Sequence, residues 1–254
     1  MRILSLGAGV QSTALLVMIL EGSIDADAAV FADTGWEPRA VYDHLDALKK
    51  IAADAGFPIH IVSAGHSIRE VGGDVTAGRP PVYLRGERGD GMLRRQCTKV
   101  FKVQPVRRKI RDIMREAQVD RVDQLLGISI DEIQRMRTSD VRYITNVYPL
   151  IDAGMRRSDC LEYLRDRGLH APRSACIGCP YHSDGEWRRL RDESPDEFAD
   201  AVAYEREIQA DGLGLDAMPF LHRSRVTLDR VDLSTLEDRG QLTFDDECEG
   251  MCGV

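Results

Sequence analysis

Cysteine spacing carries the clearest chemistry in this chain. Cys176 and Cys179 form a CxxC, Cys248 and Cys252 a CxxxC, and Cys97 and Cys160 stand alone, six in all. A CxxC puts two thiolates within reach of one metal ion or cluster. It also serves as a redox dithiol, or as half a zinc site with His182 close by to add a ligand. The run Arg94-Arg95-Gln96-Cys97-Thr98-Lys99 sets a thiol among cations, a setting that favours the thiolate. Cys160, between hydrophobic positions of an expected helix, reads as a small core residue. Two cysteines in a polar tail have no packing purpose, so Cys248 and Cys252 are candidates for a thiol nucleophile or a further ligand.

A second constellation opens the chain. Gly7-Ala8-Gly9-Val10-Gln11-Ser12-Thr13 follows a short apolar run and precedes a helix-prone one. Small residues let the backbone approach a phosphate. Successive N–H groups point into such a loop, and the helix N-terminus adds positive potential. No Lys follows the last glycine, so this is not a Walker A loop, and Ser12 holds the place of a third glycine. Asp33-Thr34-Gly35 closes the next expected strand, where open α/β sheets bind ligands, and Asp33 can accept from a ribose or an adenine amino group. A third feature is a basic stretch with eight Lys and Arg between 94 and 111 and no acid until Asp112. It can receive nucleotide phosphates or the backbone of RNA or DNA. With only Phe101 interleaved, base stacking is not signalled.

These residues need a frame, and the periodicity supplies one. Strands are expected at 2–6, 26–32, 58–62 and 122–128, with helices at 13–20, 39–55, 105–116, 186–191 and 195–210. A further helix runs to 165, with Ser158 as N-cap and Gly168 closing it. Residues 64–93, rich in Gly, Arg and Pro, read as a long loop without periodicity. Alternating strands and helices predict an α/β fold, a doubly wound parallel sheet flanked by helices. The expected division is 1–150 for nucleotide binding, with an insertion at 64–104, and 151–254 for a helical, cysteine-bearing region packed with it.

Bulk composition excludes some classes. The 254 residues carry 43% hydrophobic and 30% charged side chains and a net charge of −8. Whole-surface affinity for nucleic acid or anionic membrane is not expected at that charge. No run reaches the ~20 apolar residues that span a bilayer, and the opening stretch lacks the basic n-region of a signal peptide. The expectation is a cytoplasmic protein with no membrane partner. The sequence is compatible with a homodimer.

LSLGAGVQSTAL followed by FADTGWEP resembles the PP-loop superfamily, and within it the branch of phosphoadenosine-phosphosulfate reductases. Gly9 and Ser12 match that family's serine-glycine-glycine-x-aspartate-serine loop, Gly7 and Ala8 are small replacements, and Gln11 stands where the family has aspartate. Asp33-Thr34-Gly35 matches its aspartate-threonine-glycine motif. Gly127-Ile128-Ser129-Ile130-Asp131-Glu132 with Arg135, Tyr148-Pro149-Leu150, and Cys176-Ile177-Gly178-Cys179-Pro180 follow in order. The resemblance runs from Arg2 to about His182. It implies a nucleotide, ATP or adenylyl sulfate, held by Ser5, Gly7, Ala8, Gly9, Gln11, Ser12, Thr13, Asp33, Thr34 and Gly127. Magnesium would accompany ATP, although Gln11 offers it no carboxylate. Asp131, Arg135, Cys248 and Cys252 are the catalytic candidates.

The same resemblance implies a 4Fe-4S cluster on Cys97, Cys176 and Cys179, preferred over zinc. Gln96 stands where the family has a second adjacent cysteine, so three protein ligands leave one iron open. Two reactions follow. In one, ATP adenylates an acceptor and a sulfur species displaces AMP. In the other, a tail thiol such as Cys248 attacks adenylyl sulfate or its 3′-phosphate and sulfite is released. A nucleotide-binding module with a structural metal is the non-enzymatic alternative.

Overall fold

The computed structural model describes residues 1–235 and 238, except 73, 75, 76 and 88. Cys248 and Cys252 lie outside the described residues. In chain order the elements are β1 (Arg2–Leu6), α1 (Val10–Leu20), β2 (Ala28–Asp33), α2 (Arg39–Asp54), β3 (Ile59–Ser63), β4 (Tyr83–Gly86), β5 (Gly91–Met92), α3 (Gln104–Glu116), β6 (Val122–Leu126), β7 (Ile144–Val147), α4 (Pro149–Asp152), α5 (Arg157–Arg165), α6 (Asp184–Glu193), α7 (Pro195–Asp211) and β8 (Ala217–Phe220). The chain divides into two compact units. The first holds Met1–Asp33, Arg39–Ala64 and Lys102–Ser174, the second Thr34–Pro38, Gly65–Phe101 and Ala175–Val254.

The first unit is the expected α/β sheet. Its five strands run in the order β3-β2-β1-β6-β7, every pairing parallel. Strand alternation sorts the core. Leu4 and Leu6 of β1 join Leu15 and Leu16 of α1, Leu45 and Leu48 of α2, and Leu164 of α5. Ile3, one residue out of phase, joins Val106, Ile110 and Ile113 of α3. Successive side chains on a strand point to opposite faces, so each face of this sheet is covered by helices. Chain order reverses beside β1, and at such a reversal the loops after the flanking strands diverge and leave a crevice.

The second unit has an antiparallel sheet, order β5-β4-β8, with α6 and α7. Trp187 and Tyr204 are fully buried among its largest side chains. Glu205 is buried too, and its two carboxylate oxygens take the N–H groups of Leu221 and Leu228 at 2.8 and 2.7 Å. Ser183 caps α6 in a reciprocal box. Its Oγ accepts the Glu186 N–H, and Glu186 Oε2 accepts the Ser183 N–H at 2.8 Å.

Several elements depart from expectation. The stretch at 64–93 is not structureless: it holds a 3-10 turn at Ile68–Glu70 and the β4–β5 pair. Strands of four and two residues are too short to show a period. Helix α1 begins at Val10 rather than 13, because Gly9 is itself the extended N-cap. Ser158 is not the cap of α5. Arg156 takes that place, and its N–H is accepted by Asp159 at 2.8 Å. Strand β6 stops at Leu126, before Gly127. Strands β7 and β8 and the short helix α4 had no legible pattern. No described helix is long and apolar enough to cross a membrane.

Candidate nucleotide and thiol sites

In the first unit, the loop between β1 and α1 is three residues long. Ala8 is buried with φ of 54°, a conformation costly for a residue with a Cβ. Gly9 caps α1 with no side-chain hydrogen bond, so the first-turn N–H groups have no side chain of the cap competing for them. Ser12 braces the loop: its Oγ accepts from the Gly7 N–H at 3.1 Å and donates to the Gly9 carbonyl at 3.2 Å. Gly127 follows β6 and lies against that same turn. A Cβ at 127 would fall 2.8 Å from Ser12 N and 3.0 Å from Ser12 Cα. A Cβ at Gly9 would fall 2.9 Å from Ser174 Oγ.

The other first-unit residues expected at a nucleotide or in catalysis take varied positions. Ser5 sits on β1, in register with Val30 and Leu126. Asp33, at the end of β2, accepts from the Tyr42 hydroxyl at 2.8 Å. Thr13 is fully buried, and its hydroxyl lies 3.0 Å from His44 Nε2 on α2, so it braces two helices. Burial pulls the His44 pKa down. Asp131 takes the Arg157 N–H at 3.1 Å, at the start of α5. Its neighbour Glu132 faces the loop instead: Oε2 accepts from Gln11 Nε2 at 3.1 Å, and Oε1 pairs with Arg135. Sequence reasoning passed over Glu132, because an Asp-Glu pair does not tell which carboxylate turns inward.

In the second unit, the segment Thr34–Pro38 packs with the CxxC turn. Thr34 Oγ1 donates to Glu37 Oε1 at 3.0 Å and lies 3.6 Å from Cys176 Sγ. Thr34 and Glu37 are both buried. The Ile177 N–H donates to the Trp36 carbonyl at 2.9 Å. Gly178, between the two cysteines, packs against the Trp36 ring, where a Cβ would fall 2.1 Å from the nearest ring carbon. Trp36 is held in turn by Nε1–H donating to Asp200 at 2.6 Å, and Arg69 joins it there with ion pairs to Asp200 and Glu207. Glu37 was also missed. A glutamate before a proline in DTGWEP was its only signal.

Cys97, Cys176 and Cys179 are of intermediate exposure in this unit, and none of the three is in a disulfide. Tyr181 feels both Cys97 and Cys179, and its pKa is raised, mainly by burial, with Arg95 opposing. The Arg95 guanidinium stands 5.8 Å from the Tyr181 ring. In the same stretch, Arg95 Nη1 and Gln96 Oε1 are buried with no hydrogen-bond partner among the described residues. Uncompensated buried polar atoms are costly, and two of them beside Cys97 suit a group bound there. No three His, Cys, Asp or Glu side chains among the described residues stand together as a single-ion site. His182 Nε2 lies 3.0 Å from the Cys176 carbonyl. Cys160 is fully buried in α5, as its setting predicted, and burial pushes its thiol up to about 12.

The basic stretch is split between the units. On α3, Arg107 pairs with Asp140, while Arg108 and Arg111 are exposed.

Among solved structures, the chain is similar to the U34-tRNA thiolase NcsA from Methanococcus maripaludis, solved with its 4Fe-4S cluster. Identity is 14%, the match covers 82% of this chain and 72% of that one, and the TM-score is 0.40. A likeness of that degree says nothing of activity. No curated protein matches the sequence. The family model described as the phosphoadenosine phosphosulfate reductase domain matches residues 2–172, well over half of the chain and all of the parallel sheet. The chain therefore belongs to the phosphoadenosine phosphosulfate reductase domain family, within the PP-loop superfamily.

Proposed function

We propose that the protein is an ATP-dependent adenylating enzyme of the PP-loop type that activates an acceptor for sulfur transfer. The loop is the observation that carries this reading. A glycine-capped helix N-terminus at the end of a parallel strand, closed over by Gly127, is a cradle for phosphates. In the reaction, an acceptor oxygen attacks the α-phosphorus of ATP, and the bond to the β-phosphate breaks. Pyrophosphate leaves with that electron pair. A sulfur nucleophile then displaces AMP from the adenylated acceptor. Gly7 to Ser12 hold the phosphates, and Asp33 takes ribose or adenine donors. Such chemistry depends on positioning and on stabilising developing phosphate charge. The exposed arginines of α3 are consistent with an RNA or DNA acceptor.

Cys97, Cys176 and Cys179 would hold a 4Fe-4S group. Three cysteine side chains in one unit, none in a disulfide, with buried unsatisfied polar atoms on Arg95 and Gln96 just before Cys97, support it. When bound, it supplies an open iron at which a sulfur species can be kept. Anaerobically prepared protein should be brown. Alanine at any one of these three cysteines should bleach it, and Cys160→Ala should not. Stoichiometric zinc without iron would refute the cluster.

Family membership supports a second reading, a sulfonucleotide reductase. There the Cys248 thiolate attacks the sulfate sulfur of adenylyl sulfate, the nucleotide leaves, and a thiol reductant frees sulfite with formation of a disulfide. The two readings part on products. ATP with a screen of acceptors should yield pyrophosphate, and truncation after Asp246 should spare that step. Sulfite from adenylyl sulfate, lost in Cys248→Ser, with no pyrophosphate from ATP, would establish the reductase instead.

A further inference from the structure

Glu132 is a carboxylate that the reaction above leaves without a task. It sits in the 3-10 turn Ile130–Arg135 after β6, with a side chain 12% exposed. Gln11, in the first turn of α1, gives Nε2 hydrogens toward Glu132 Oε2 at 3.1 Å and Ser129 Oγ at 3.4 Å. An amide has two donors on nitrogen and an acceptor on oxygen. The carboxylate fixes which end faces it, since the reverse orientation would set two acceptors against each other. With the nitrogen committed to Glu132 and Ser129, the amide oxygen is what Gln11 has left to offer the loop. An amide oxygen and an ionised carboxylate are both poor neighbours for a phosphate.

We propose that Glu132 is the positioning residue of the phosphate loop: its charge decides whether Gln11 offers an incoming phosphate its oxygen or its NH2. A protonated Glu132 can donate to the Gln11 oxygen and turn the NH2 outward, while the ionised form holds the NH2 inward. The charged groups acting on Glu132 are Arg135 on its own turn, Asp131 beside it and Arg157 at the start of α5. Burial raises its pKa most. Arg135 and Arg157 draw it down, and Asp131 pushes it up. Phosphate affinity is therefore full below this raised pKa and declines as pH rises through it. By linkage, a bound phosphate raises the proton affinity of Glu132 in return. The proposal rests on the nucleotide reading of the loop.

Calorimetric titration with ATP in EDTA, across the pH range from acid to mildly alkaline, tests it on wild type and Glu132→Gln. Nitrogen-edited NMR of the Gln11 side-chain amide is followed in parallel. Wild-type affinity should fall on the order of tenfold with rising pH, the size of one pKa unit of coupling. Glu132→Gln should remove that dependence and keep the tighter affinity at high pH. The Gln11 resonances should titrate with the same midpoint in wild type and stand still in the variant. Gln11→Met keeps side-chain length without the amide. It should lose most of the dependence too, so the test survives if Glu132→Gln fails to fold. Affinity independent of pH, with Gln11 resonances that do not move, overturns the proposal. Absence of ATP binding at every pH would overturn the nucleotide reading itself, and the Gln11 titration, which needs no ligand, tells the two failures apart.

Discussion

Gly127→Ala is expected to remove adenine-nucleotide binding while leaving the parallel sheet assembled. The added methyl would meet backbone, Ser12 N at 2.8 Å and Ser12 Cα at 3.0 Å, and neither can swing aside as a side chain would. Either the first turn of α1 moves outward or the chain after β6 does. Both carry groups of the site: Gln11 and Ser12 on one side, Ser129 and Glu132 on the other. Overpacking of this kind costs about 1–3 kcal/mol of stability. A shift of about an ångström at a positioned loop costs on the order of a hundredfold in function. Calorimetry with ATP alongside a thermal melt separates the two. Near-normal ATP affinity in a folded Gly127→Ala would show that this close approach serves packing alone.

Gly178→Ala should have the largest effect on the thiol-bearing unit. A Cβ there would fall 2.1 Å from the Trp36 ring, which cannot retreat without giving up its hydrogen bond to Asp200 at 2.6 Å. The CxxC turn would have to lift off, breaking the Ile177–Trp36 backbone bond and moving Cys176 from Thr34 and Glu37. The expected outcome is a loss of about 3 kcal/mol or more, as overpacking joins a broken hydrogen-bond network. Trp36 emission should shift toward that of a hydrated indole, and any bound iron should be lost. A variant that keeps wild-type fluorescence and melting would show that the segment accommodates the methyl by a path not evident in the packing.

Legibility followed the length of the repeating pattern. Helices α2 and α7 announced themselves because sixteen or seventeen residues give four turns of hydrophobic spacing. The parallel strands β1, β2, β3 and β6 were legible as apolar runs between helices, and β7 was not. Nor were strands β4, β5 and β8: they are four, two and four residues long, and β4 meets β8 across more than a hundred residues of sequence, with Tyr83 opposite Phe220. At the candidate sites, residue type and order pointed to the loop, to Asp33 and to the CxxC. They could not give direction. Thr13, read as a loop hydroxyl, turns to His44, and of Asp131 and Glu132 it is the second that reaches Gln11. Nothing in the CxxC spacing singled out Gly178, and it is the Trp36 ring packed against it that leaves no room for a larger residue.

The second unit is stitched from three separate stretches, Thr34–Pro38, Gly65–Phe101 and Ala175 onward. That construction imposes a schedule on synthesis. A ribosome adds about 5–20 residues per second, so Trp36 waits on the order of ten seconds for Gly178 to emerge. Contacts so distant in sequence are slow to form even then. During that interval the parallel sheet can complete most of its own strands, while Cys97 has left the tunnel well before Cys176 and Cys179 exist to accompany it. A lone early thiol is open to oxidation or to a mismatched metal. Any cofactor held by all three cysteines must therefore be fitted late, after most of the chain has been made, and the cell's supply of it would be read at the end of folding rather than at the start.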